Sequence, residues 1–93
     1  MKIIKIGALW CPACLIVNNN LNKIKKEYSL NIVEYDYDFD SEEVKNYEVG
    51  NILPVLIFLN DENIELKRLI GESSYKLIKE TIEELEWFYE VYI

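Results

Sequence analysis

The chain contains no histidine. That removes the commonest general base and metal ligand, and with it any hydrolase built on a Ser-His or Cys-His pair. Positive charge is scarce. Ten Lys and Arg stand against 17 Asp and Glu, for a formal net charge of -7. An acidic excess of this size argues against nonspecific binding to nucleic acid or to an anionic membrane, and no basic cluster offsets it. Long apolar runs are missing too, since nothing approaches the roughly 20 residues of a membrane span. At the N-terminus, Lys5 and Gly7 interrupt the run Ile3, Ile4, Ile6 and Ala8, and no small-residue cleavage site precedes Trp10. A signal peptide is therefore not expected, and the expected location is the cytoplasm. Cysteine is limited to Cys11 and Cys14. In a reducing compartment, a lone pair is reactive or metal-binding rather than structural. A zinc site takes four protein ligands, which two cysteines without histidine do not supply unless two chains share the ion. No metal is expected.

What is present fits one domain spanning residues 1–93, about half of it apolar. Lys2 to Ala8 is isoleucine-rich and too short for a stable helix, so it reads as a buried first strand. Cys11 falls at an N-cap, and Pro12 at the first helical position, where its missing N–H and fixed φ do no harm. Leu15, Val17, Leu21, Ile24 and Tyr28 then recur at mostly three- and four-residue intervals, which predicts an amphipathic helix to Tyr28. The triplet Asn18-Asn19-Asn20 weakens its middle. From Leu30 to Phe39, Val33, Tyr35, Tyr37 and Phe39 alternate with acids, which predicts an edge strand with one packed face. Ser41 is expected to cap a short helix through about Tyr47. Ile52 to Leu59 is the most apolar run, with Pro54 near its start. Asn60-Asp61-Glu62-Asn63 reads as a turn to a fourth strand, in which Ile64, Leu66 and Arg68 face one way and Glu65, Lys67 and Leu69 the other. Gly71 ends it. Ser73 or Ser74 caps a last helix with an apolar stripe of Leu77, Ile78, Ile82, Leu85 and Phe88. Trp87, Phe88, Tyr89, Val91, Tyr92 and Ile93 make an apolar C-terminus, expected to pack in the core, with an oligomer contact as the alternative. The order β-α-β-α-β-β-α predicts an α/β three-layer sandwich around a four-stranded mixed sheet. The strands flanking the first helix should be parallel.

The stretch Trp10-Cys11-Pro12-Ala13-Cys14 sits where the first strand gives way to the first helix. Cysteines spaced i, i+3 across such a turn can close a small disulfide ring and open it again. With Leu53-Pro54 at the start of the third strand and Gly71 closing the fourth, the chain resembles the thioredoxin superfamily nearly end to end. It is most similar to the small glutaredoxin-like and archaeal-type forms. The resemblance implies a thioredoxin fold and a thiol–disulfide oxidoreductase that reduces protein disulfides, with roles in electron transport and cell redox homeostasis. It implies no cofactor beyond a redox-active Cys11–Cys14 disulfide, and a thioredoxin-reductase-type electron donor as partner. Cys11 would be the attacking thiol and Cys14 the resolving one. Trp10, Leu53, Pro54 and Gly71 would bind substrate, with Pro54 in a cis bond facing the sulfurs, and Trp10, Leu53 and Leu15 supplying an apolar rim.

The sequence departs from the family in three places. Pro12-Ala13 lies between the cysteines, where thioredoxins carry Gly-Pro. Ile70-Gly71-Glu72-Ser73 holds one glycine, where glutaredoxins hold glutathione with two. Lys5 occupies the position, six residues before the first cysteine, where the family carries a buried aspartate that assists the resolving thiol. The register puts Glu34 on the neighbouring strand, so Lys5 and Glu34 are expected to form the family's proton-transfer pair with reversed sign. The plainer alternative makes both solvated strand residues. Two other functions stay open at this point: a glutathione-dependent glutaredoxin-like protein, and a non-catalytic binding module with incidental thiols.

Overall fold

Short runs of branched aliphatic residues cannot hide one face only, so they settle in the middle of a sheet covered on both sides. The computed structural model describes the backbone of residues 1–92 and the side chains of residues 1–86. The elements are β1 (Lys2–Gly7), α1 (Pro12–Ile24), β2 (Asn31–Asp36), α2 (Ser41–Lys45), β3 (Val55–Leu59), β4 (Glu65–Ile70) and α3 (Tyr75–Tyr92). The sheet order is β2-β1-β3-β4. β1 pairs parallel with β2 and antiparallel with β3, and β3 pairs antiparallel with β4. This is the expected α/β sandwich, with the acidic second strand at an edge. The apolar C-terminal residues Trp87 to Ile93, with the stripe residue Phe88, lie outside the described side chains.

The core divides at the sheet. Ile3, Leu56 and Phe58 pack with Val17, Leu21 and Ile24 of α1 and Ile78 and Ile82 of α3. On the other face Ile4, Ile6, Val55, Ile57 and Leu59 pack with Val44 of α2 and with Cys11, Cys14 and Leu53. The cysteine pair is thus part of a core. The asparagine triplet does not interrupt α1, and Asn20 Nδ2 donates to the Ser73 carbonyl at 3.0 Å, tying this helix to the entry of α3.

Several boundaries differ from expectation, each for a local reason. α1 ends at Ile24, and the chain runs on to Tyr28 in turns whose amides bond back to Leu21, Lys23 and Ile24. β2 ends at Asp36 because that carboxylate accepts the amides of Asp38 and Phe39, at 2.9 and 3.0 Å, and folds the chain into a turn. Phe39 is therefore 79% exposed instead of packed. Asp40, not Ser41, stands at the N-cap of α2, and that helix stops at Lys45. The Asp40 carboxylate accepts the Asp36 amide instead of capping the helix. β3 starts at Val55, leaving Ile52 exposed. In β4 the register slips between Phe58 and Leu59, which pair with Lys67 and Glu65. Leu66 is the extra residue of that bulge, so the two-faced alternation breaks there. Ser74 caps α3 by accepting the Leu77 amide at 3.1 Å. Leu77 lies off the stripe, exposed, and buried Thr81 takes its place, its hydroxyl donating to the Leu77 carbonyl at 2.8 Å.

Two phenylalanines test this arrangement. Phe58→Ala is expected to destabilise the protein by about 3–5 kcal/mol, and Phe39→Ala to change stability by less than about 0.5 kcal/mol. Urea unfolding of each variant checks it. A large loss from Phe39→Ala would restore the longer strand.

Candidate active site

The site forms where β1 stops and α1 begins. Cys11 is extended, with φ -102° and ψ 105°, and Pro12 opens the helix behind it. The Cys11 amide donates to the Ala8 carbonyl at 3.2 Å, which closes the turn. The Cys14 amide donates to the Cys11 sulfur at 3.3 Å. Cys11 therefore fills the capping role that a serine or aspartate usually fills. Both thiols are free and buried.

Gly7 makes this packing possible. A Cβ at Gly7 would lie 3.2 Å from the Cys14 sulfur and 3.5 Å from the Lys5 ammonium. In the sequence this glycine only interrupts a strand, and nothing local marks its role. The Leu53–Pro54 bond is cis. Gly71 has φ +90°, a conformation that favours glycine, and its amide donates to the Pro54 carbonyl at 2.8 Å. Pro54 and Gly71 are thereby brought together, and Leu53 packs in the same cluster as both cysteines. The Leu53 side chain is only 8% exposed, so the exposed apolar surface at this end comes from Leu9, Trp10, Leu15, Ile52 and Ile70 instead. The Trp10 indole N–H donates to Asp38 at 2.7 Å. That contact spans 28 residues, and sequence spacing gave no sign of it.

Behind Cys14 lies a cavity of about 350 Å³ lined by Lys5, Cys14, Asn18, Glu34, Asp36 and Asp40 among others. Lys5 and Glu34 stand opposite each other in the β1–β2 register, as expected. Lys5 is only 6% exposed. Among the described residues the two make no ion pair with each other. A second cavity, beside Met1, Leu66 and Leu85, lies away from the cysteines. Among the described residues no three Cys, Asp or Glu groups gather to hold a metal ion, and no helix is long and apolar enough to cross a membrane.

A mixed sheet with a cysteine pair at the first helix start, facing a proline loop, defines a thioredoxin-like redox protein. The family model for thioredoxin matches residues 1–84, and the chain belongs to that family. Among solved structures it is similar to thioredoxin-2 of the malaria parasite, a component of that organism's protein secretion machinery. That likeness has 22% identity and a TM-score of 0.82, covering 89% of this chain and 81% of the other. It is also similar to Fasciola hepatica thioredoxin, with 25% identity, a TM-score of 0.79 and coverage of 89% and 78%. For Trypanosoma brucei brucei thioredoxin the values are 22%, 0.80, and 90% and 73%. Among curated proteins no sequence matches.

Burial pushes the Cys14 thiol up from its ordinary 9.0 to about 11, and its hydrogen bond with Cys11 adds to the rise. The Ala8 backbone and the Lys5 charge pull the other way. The folded protein therefore holds this proton more tightly than the unfolded chain does. The resulting stabilisation is present below pH 9.0 and is lost as pH rises toward about 11. Between those values the reduced protein should lose more stability than its Cys14→Ala variant, measured by urea unfolding at each pH. Parallel losses in the two proteins would contradict the assignment.

Proposed function

We propose that the protein is a thiol–disulfide oxidoreductase that reduces protein disulfides by dithiol exchange through Cys11 and Cys14. The observation that carries the proposal is the arrangement at the helix start. The Cys14 amide points at the Cys11 sulfur, and Cys14 lies one turn deeper at the same helix end. The Cys11 thiolate attacks one sulfur of a target disulfide. A Cys11–target bond forms, the target's own S–S bond breaks, and the second target sulfur leaves as thiolate and takes up a proton. Cys14 then attacks the Cys11 sulfur. The Cys11–Cys14 disulfide forms, the target leaves as its second thiol, and two electrons have passed to it. Because both cysteines sit on one turn, this second step is intramolecular and needs no diffusional encounter.

The proline loop supports a protein target. Leu53 lies outside β3, and among the described residues its backbone takes no part in the sheet. An extended target segment can pair there, while Trp10, Ile52 and Ile70 offer exposed apolar contact. A reductase of the thioredoxin-reductase class returns the electrons in a cytoplasmic, reducing setting. The single glycine of Ile70-Gly71-Glu72-Ser73 argues against glutathione as the direct donor.

Insulin reduction tests the proposal. Turnover coupled to a thioredoxin reductase should exceed turnover coupled to glutathione. Cys11→Ser should lower it by at least about a hundredfold, and Cys14→Ser should accumulate a covalent target adduct at Cys11. Higher turnover with glutathione would favour a glutaredoxin-like protein. No turnover with either donor, together with full partner binding by Cys11→Ser, would favour a binding module.

A further inference from the structure

Lys5 is a charged side chain buried in the sheet, and the two sulfur-exchange steps as written do not use it. It lies on β1 opposite Glu34, but among the described residues no carboxylate forms an ion pair with it. The Cys14 sulfur lies on the same side of the strand. The Lys5 Nζ and the Cys14 Sγ lie 3.5 and 3.2 Å from a single point above Gly7, which places them less than about 7 Å apart. Gly7 has no side chain to stand between them. Both atoms belong to groups lining the cavity behind the helix start.

We propose that Lys5 is the counter-ion of the Cys14 thiolate, and so replaces proton abstraction by a carboxylate with direct charge stabilisation of the resolving sulfur. The inference rests on the dithiol exchange proposed above and concerns its second step only. That step needs Cys14 without its proton, yet burial holds the proton on. An ammonium at this separation, on a buried lysine, lowers the cost of the anion more than an exposed lysine would. The other titratable groups facing Cys14 are Cys11 at the cap, Glu34, Tyr35 and Asp36 of β2, and Asp40 from the following turn. The three carboxylates, when ionised, oppose a thiolate, so the cation on β1 is the group of suitable sign.

The proton also has a way out. The Asn18 Oδ1 is a buried acceptor with no protein partner, and Asn18 lines the same cavity. The volume holds several waters, which can carry the Cys14 proton outward. The balance then closes. The proton lost from Cys14 is matched by the one taken up by the departing target thiolate. The Cys11–Cys14 bond forms as the Cys11–target bond breaks, and Lys5 keeps its charge throughout.

The test is a titration of Cys14 followed by the chemical shift of its 13C-labelled Cβ in a Cys11→Ser background, so that Cys14 is the sole thiol. Lys5→Met should raise the Cys14 pKa by about one unit, and Lys5→Arg should leave it near that of the background protein. In proteins with both cysteines, Lys5→Met should lengthen the life of the mixed disulfide about tenfold at pH 7. The rate at which Cys11 first forms that adduct should change less than twofold. An unchanged or lowered Cys14 pKa in Lys5→Met overturns the proposal. So does equal slowing of both steps. The titration needs no substrate, so it stands apart from the turnover assays. A wild-type protein that forms no mixed disulfide, with Cys14 still responding to Lys5, would overturn dithiol exchange and leave only the electrostatic contact.

Discussion

The structure depends on the close approach of Cys14 to Gly7, where the end of a buried strand meets the start of a helix. β1 is fixed by core on both faces, through Ile3 on one side and Ile4 and Ile6 on the other. α1 is fixed by Val17, Leu21 and Ile24 against that sheet. The four residues between them have little freedom left, and the missing side chain at position 7 leaves the Cys14 sulfur its room. A methyl group there would lie 3.2 Å from the Cys14 sulfur, so the sulfur or the start of the helix would have to give by a few tenths of an ångström. Cys11, held at the N-cap, would move with the helix start. So would its placement relative to Leu53, which packs in the same cluster.

That approach has an energetic consequence. A thiol packed against strand backbone is hard to ionise, and Cys14 accordingly keeps its proton to high pH. The proposed exchange nevertheless needs both sulfurs as nucleophiles at different moments. At Cys11 the Cys14 amide is directed at the sulfur. Cys14 has the Ala8 backbone beside it, and the charge that favours its anion belongs to Lys5. Burying an ammonium is itself costly. The proposed contact with the Cys14 sulfur gives the buried lysine a role that sets against this cost.

Much of the fold was legible in the sequence because the relevant signals are local. Cys11 and Pro12 mark the helix start within two residues. Period-two and period-3.6 patterns, short apolar runs and a helix cap assign the elements to their types, and Gly71 marks a backbone conformation that other residues resist. What escaped depends on side chains competing with regular structure. Asp36 reads as the solvated face of a strand, yet it ends that strand by accepting two amides. Leu66 keeps the alternation in sequence but sits on a bulge. Around the cysteines, Trp10, Pro54 and Gly71 could be named from their positions, and the Lys5–Glu34 register could be counted. The contact from Trp10 to Asp38, the part played by Gly7 and the shared cavity arise from distant segments meeting. No spacing within one stretch encodes them.

The most direct measurement is a redox titration of the wild-type protein. Equilibration in graded dithiol–disulfide buffers, then alkylation and mass analysis, gives the fraction of Cys11 bonded to Cys14. The account predicts one reversible two-electron transition, in which a tenfold change in the equilibrium constant corresponds to about 30 mV. Its midpoint separates a thioredoxin-like reductant, near about −270 mV, from a strong oxidant near about −120 mV. Cysteines that remain thiols across the whole range, or that form only separate one-cysteine adducts, would contradict it.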